Sequence, residues 1–158
     1  MYAQVQLAVD PKVRALCARP YPNHPRGCPQ PGNCPTCPPR GRLITDVLDL
    51  SQPTFVICTE FPLGEHVAKL KAKHPDWTQR QLACCLYWQP KARQNLLQAI
   101  KDFAKLHPSL FITASPEAMG VNVTETMRRA GVQLEWPPVA RTYQVAVAGT
   151  RLATREYK

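Results

Sequence analysis

The sequence predicts an α/β chain (α+β, mixed) in one domain: a mixed sheet of about five strands with helices packed on it, and a long Cys/Pro-rich loop near the N-terminus. Three observations predict this. The chain has 158 residues, the size of one domain able to bury a core. Stretches of two-residue and of helical periodicity are interspersed along it. The strand-like stretches lie far apart early in the chain and close together late, which points to a mixed sheet.

Taken in order, residues 3–9 alternate, with Ala3, Val5, Leu7 and Val9 on one face, as in a strand. Asp10-Pro11 then reads as a helix start, Asp as N-cap and Pro in the first helical position, so a short helix delivers Cys17 at its end. Residues 18–42 read as loop. Pro20, Pro22, Pro25, Pro29, Pro31, Pro35, Pro38 and Pro39 remove backbone donors, and Gly27, Gly32 and Gly41 allow tight turns. Leu43–Leu50 reads as a short helix or turn, and Thr54–Phe61 as a strand rich in β-branched and aromatic residues. Gly64–Lys73 reads as a helix with Val67 and Leu70 inward and lysines outward.

Thr78 and Gln81 form a capping-box pattern, flanked by Trp77 and Leu82 as a hydrophobic staple. That helix is expected to run to Trp88, with Pro90 kinking it or opening the next one. Residues 91–106 carry Leu96, Leu97, Ile100, Phe103 and Leu106 at helical spacing, and His107-Pro108 stops them. Leu110–Ala114 reads as a short strand. Asn122 and Glu125 fit the start of a helix over 123–130 with Val123, Met127 and Ala130 on one face and Gly131 after its end. Two last strands are expected at 132–136 and 143–147, separated by Pro137-Pro138.

Composition removes several classes of function. No apolar run approaches the roughly 20 residues of a membrane span, and the N-terminus lacks the basic-then-apolar pattern of a secretory signal. A cytoplasmic location and no membrane partner are expected. The net charge is +9, from 20 Lys and Arg against 11 Asp and Glu. Such a balance admits nucleic acid as a partner. The cations are nevertheless scattered, at Lys69/Lys71/Lys73, Arg128/Arg129 and Arg151/Arg155/Lys158, without an interleaved aromatic strand. There is no Gly-rich phosphate loop, nucleophile elbow or HExxH helix. If the chain is an enzyme, a cofactor carries the chemistry.

The cysteines concentrate the chemistry. Seven are present, an odd number, and four stand in the first quarter: Cys17, Cys28, Cys34 and Cys37. In a reducing compartment this density reads as metal binding rather than as a disulfide framework. The C-x2-C pair Cys34/Cys37 can grip a metal from one turn. Four thiolates satisfy zinc in a tetrahedron, whereas a cubane cluster takes one thiolate on each of four irons and suits a longer irregular loop. Cys28, Cys34 and Cys37 are the core of the set and Cys17 is its fourth member; leaving Cys17 out gives a cluster with one open iron. Cys58, Cys84 and Cys85 read as fold thiols: Cys58 sits in a strand, Cys84 and Cys85 are adjacent on a helix, and Cys85 is in phase with Leu82 and Leu86. His24 is a candidate ligand or hydrogen-bond donor to a bound sulfur. His66, His74 and His107 lack partners at ligand spacing.

The run from Cys17-Ala18-Arg19-Pro20 to Gly27-Cys28-Pro29, with Asn33-Cys34-Pro35-Thr36-Cys37-Pro38-Pro39, resembles a family of small predicted metal-binding proteins, read as iron–sulfur proteins, whose hallmark is a cysteine loop ending in Cys-Pro-Pro. Pro116-Glu117-Ala118-Met119-Gly120-Val121-Asn122-Val123, with Ala130-Gly131, resembles a second segment of that family. Many relatives place another cysteine cluster just before it, where this chain has the cysteine-free Phe111–Ser115. The resemblance therefore implies one centre, with the Glu117–Gly120 turn beside it or simply opening a helix.

Three functions follow from these readings. One is a protein with a single 4Fe-4S cluster on Cys17, Cys28, Cys34 and Cys37, used for redox, sensing or sulfur handling, with a redox or macromolecular partner. Another is a basic module for nucleic acid or protein around a structural Zn. The last is a disulfide-stapled or metal-free recognition surface.

Overall fold

The computed structural model describes residues 1–20, 25–28 and 32–153. His24, Pro22, Pro29, Pro31, Arg155 and Lys158, which entered the sequence reading, lie outside the described residues. The sheet consists of β1 (Tyr2–Gln4), β2 (Thr54–Phe61), β3 (Phe111–Thr113) and β4 (Thr142–Gly149), in the spatial order β1-β2-β4-β3. The helices are α1 (Leu63–Lys73), α2 (Gln79–Leu82), α3 (Cys85–Leu106) and α4 (Val123–Arg129). Short 3-10 helices cover Pro11–Ala18, Ile44–Asp46 and Glu117–Met119. The architecture is α+β, as expected.

Two expectations about the sheet are corrected. Every pairing is antiparallel, so the sheet is not mixed. Among the described residues it has four strands rather than about five, because 132–136 forms none. That segment follows α4 instead of a strand. The Val132 amide donates to the Met127 carbonyl, and Trp136 Nε1 donates to Thr124 Oγ1 at 3.2 Å. Glu135 Oε2 accepts the Val139 and Ala140 amides at 3.1 and 3.0 Å, capping the turn that the Pro137-Pro138 pair cannot satisfy from its own backbone. Alternation alone does not make a strand without a neighbouring edge to pair with.

The two faces of the sheet bury different partners, as the two-residue period requires. Val56, Cys58 and Val147 face a core with Val5, Leu7, Ile44, Leu48, Met119, Val121 and Met127. Ile57, Ala146 and Ala148 face Leu96 and Phe103 of α3. α3 thus covers one face, while α4 and the 3-10 helices cover the other. Cys58 is 2 % exposed within the first core, which accounts for it as a fold thiol.

The N-terminal strand pairs only over Tyr2–Gln4, yet the alternation through Val9 has a consequence. Val5 and Leu7 remain buried on the face opposite α3. The Val5 amide donates to Thr54, the Ala8 amide to Oγ1 of the fully buried Thr126 at 3.0 Å, and Val9 bridges to Val121. The chain therefore leaves the sheet and runs onto α4 and the Glu117–Met119 turn. This route places the first cysteine helix beside that turn.

The helix boundaries at 79–106 also differ from the expectation. Thr78 and Gln81 do form a reciprocal capping box. The break then comes at Ala83–Cys84, and Pro90 lies inside the continuous α3. Cys84 is extended (φ −60°, ψ 124°), and the Ala83 carbonyl is taken by Nε1 of the buried Trp88 at 3.3 Å. Pro90 deprives only the Leu86 carbonyl, on a residue 76 % exposed, where water can replace the missing donor. Cys84 and Cys85 therefore straddle a helix start instead of sharing one helix. Among the described residues no helix is long and apolar enough to cross a membrane.

Candidate metal centre

The centre is built on the Pro11–Ala18 helix. Asp10 caps it by accepting the Lys12 amide at 3.0 Å, and Pro11 supplies the preset φ of its first residue. Eight residues is long for a 3-10 helix, and tertiary bonds hold it in place. The Asp10 amide donates to Gly120, tying the helix start to the turn at Glu117–Met119. Arg14 Nη2 donates to the Gly41 carbonyl at 2.6 Å, tying it to the far end of the cysteine loop. Sequence reasoning missed Arg14, since nothing in its local pattern separates it from a solvated cation.

Two glycines determine how closely the loop closes. The Cys28 amide donates to the Cys17 carbonyl at 2.8 Å, which joins the first two cysteines through their backbones. Gly27, at φ +78°, permits this: a Cβ there would lie 2.8 Å from the Cys17 oxygen. At the other end the Gly41 amide donates to the Cys37 carbonyl, and a Cβ on Gly41 would lie 2.1 Å from the Thr36 oxygen. Between them the Cys37 amide donates to the Cys34 carbonyl at 2.9 Å, and the Cys34 amide donates to Cys37 Sγ at 3.3 Å.

The electrostatics of the thiols reflect this closure of the loop. Burial pushes the Cys17 thiol up, and the negative charges of Cys28, Cys37 and Glu117 push it further, so these three groups lie within electrostatic reach of it. Hydrogen bonds from the Cys34 amide, then from the Gly32 amide and the Cys34 side chain, hold the Cys37 thiol below its ordinary value, with Arg40 adding to the effect. Cys17, Cys28 and Cys37 are half-buried and Cys34 is exposed. Glu117 is exposed as a residue, yet enough protein surrounds its carboxyl for burial to push it up.

All four loop cysteines thus belong to one neighbourhood, with the Glu117–Met119 turn packed against it. The thiols are not drawn into a closed cage. Among the described residues no group of three or more Cys, His, Asp or Glu side chains has the geometry to hold a metal ion. As a donor set, four thiols on one short loop, with amide N–H groups donating to the Cys37 sulfur, have the chemistry of a thiophilic centre. Mutual repulsion among thiolates and a carboxylate is the kind of strain that a cation relieves. Cys58 lies in the core, while Cys84 and Cys85 lie beside Trp88 on the α3 side, so these three stand apart from the loop. No disulfide joins any of the seven cysteines.

The thiol shifts give an ordering that can be measured. In metal-free chain, a lowered Cys37 yields thiolate at a lower pH and a raised Cys17 at a higher one. Mass-resolved iodoacetamide labelling across a pH series should show Cys37 modified before Cys17. The reverse order would contradict the hydrogen bonds described above. Compared with protein-family models, with curated proteins and with solved structures, the chain matches none.

Proposed function

We propose that this chain is an iron–sulfur protein holding one 4Fe-4S cluster on Cys17, Cys28, Cys34 and Cys37, and that the cluster serves redox, sensing or sulfur handling. The supporting observation is the closure of the loop, which brings Cys17 within electrostatic reach of Cys28 and Cys37 and closes the Cys34–Cys37 turn with an N–H···S bond. The family resemblance of the cysteine loop and of the Glu117 segment supports the same reading. A cubane spreads its thiolates over four irons and accommodates sulfurs that do not close on one point. When bound, such a cluster supplies one-electron chemistry, or a Lewis-acidic site if one iron lacks a thiolate. The protein's part is to orient the thiols and to donate N–H bonds to sulfur, which tunes a bound cluster's potential. A reducing compartment such as the cytoplasm would keep these thiols free for the cluster.

A structural zinc is the second reading, favoured by the tight Cys34–Cys37 turn, which is the grip a single ion uses. One preparation separates the two. Anaerobically purified or iron- and sulfide-reconstituted protein should be brown, absorb broadly toward the blue and bleach with dithionite. A colourless protein with one equivalent of zinc, refusing iron, would replace the cluster with the zinc site.

A further inference from the structure

On the α3 side of the sheet, away from the cysteine loop, three rings separated in sequence form one stack. His74 lies on Trp77 with centroids 4.0 Å apart and planes 10° apart. Trp77 lies on Tyr87 at 5.3 Å and 29°. The turn that carries His74 and Trp77 is held by Lys71, whose Nζ donates to the Pro75 and Trp77 carbonyls. Tyr87 is 52 % exposed and His74 is exposed, so both ends of the stack meet solvent.

The surrounding charge is predominantly positive. Between Glu65 and Arg93 there are six cations, Lys69, Lys71, Lys73, Arg80, Lys91 and Arg93, against the two carboxylates Glu65 and Asp76, and Glu65 pairs with Lys69. Several cations elsewhere are engaged. Arg128 and Arg129 both bond to Glu125, holding its carboxyl down at about 2. Lys105 pairs with Asp102 and Arg141 with Glu60, and Arg151 lies over the Phe111 ring. Among the described residues, Lys73, Arg80 and Lys91 have no ion pair. Lys73 adjoins His74, Arg80 follows Trp77 in α2, and Lys91 is one turn from Tyr87 on α3.

We infer that this stack and its unpaired cations are a docking surface for single-stranded nucleic acid. A preformed ring stack with open ends continues base stacking, and cations beside it meet the phosphates of the same strand. A duplex offers its bases already stacked, and a protein partner gains nothing from the predominantly positive charge unless it is acidic. The inference does not rest on the metal reading, since the residues lie on the opposite layer.

The test titrates the full chain with fluorescent oligo-dT, with heparin as a polyanion lacking bases. Affinity for oligo-dT should fall with salt, each engaged cation contributing about 0.7 to the logarithmic slope. Tyr87→Ala should weaken oligo-dT by about tenfold and leave heparin unchanged, whereas Tyr87→Phe should keep the wild-type affinity. Lys73→Glu with Lys91→Glu should weaken both ligands. Thermal unfolding of each variant shows that the fold is retained. Oligo-dT affinity indifferent to Tyr87→Ala, tighter binding of duplex than of single strand, or no binding at low salt would each overturn the inference.

Discussion

Cys34→Ser is expected to empty the proposed cluster site while leaving the chain folded, and Cys28→Ser and Cys37→Ser to do the same. The two halves of this result have separate causes. A cubane that loses one of its turn thiolates loses the chelate that holds it. The fold does not depend on the site, because no described residue between 17 and 42 belongs to any of the three apolar clusters. Iron and sulfide content per chain should fall to background, and the thermal unfolding of metal-free variant and metal-free parent should coincide. Cys17→Ser is expected to differ in degree. Its thiol is pushed up by burial and by its neighbours, so ionising it carries an added cost, and it is the position we assign to an open iron. Gly41→Ala provides an independent handle that removes no thiol. Its new Cβ would fall 2.1 Å from the Thr36 oxygen, so the turn carrying Cys34 and Cys37 must be reshaped. Full iron content in Cys34→Ser would show that the loop is not the centre; full content in Gly41→Ala would show that its closure is irrelevant to loading.

Local chemistry was readable wherever a local cause decided the outcome. Thr54–Phe61 reads as a strand because its residue types suit a pleated sheet, and it pairs with β4 along its whole length and with β1 over Phe55–Ile57. Thr78 and Gln81 announce a helix start through side chains that reach their own backbone. The failures share a different cause. The 132–136 segment has strand alternation, but both of its outcomes, pairing or lying on α4, depend on what stands beside it. The break at Cys84 depends on Trp88 reaching back to the Ala83 carbonyl. At the candidate site the cysteine spacing was legible, and the tethers were not. Arg14 reaching Gly41 and the Glu117 turn settling beside Cys17 are contacts across long stretches of chain. The ring stack was invisible for the same reason: Trp77 and Tyr87 are brought together only by the turn between α2 and α3.

Phe103→Ala is expected to be the most damaging single change to the fold, at about 3–5 kcal/mol. Phe103 is 1 % exposed and is the wedge between α3 and the sheet. Tyr2 meets its ring edge-on at 5.1 Å, and Phe55 and His107 are tilted against it at 5.5 and 4.4 Å, so the substitution removes three ring contacts as well as buried area. The cavity cannot heal easily. The β4 residues facing it are Ala146 and Ala148, whose methyl groups have no reach to fill the space. A loss of this size is a large part of the roughly 5–15 kcal/mol that holds a domain together. Urea unfolding should show a much lower midpoint with little change of slope. Because α3 is the layer that slackens, Tyr87 should leave the stack on Trp77 before the cysteine loop on the other face is disturbed. In partial urea, Phe103→Ala should therefore lose ring packing, read by near-ultraviolet circular dichroism, while Cys17 keeps its slow alkylation. A destabilisation below about 1 kcal/mol would mean that α3 is held to the sheet by something other than this ring.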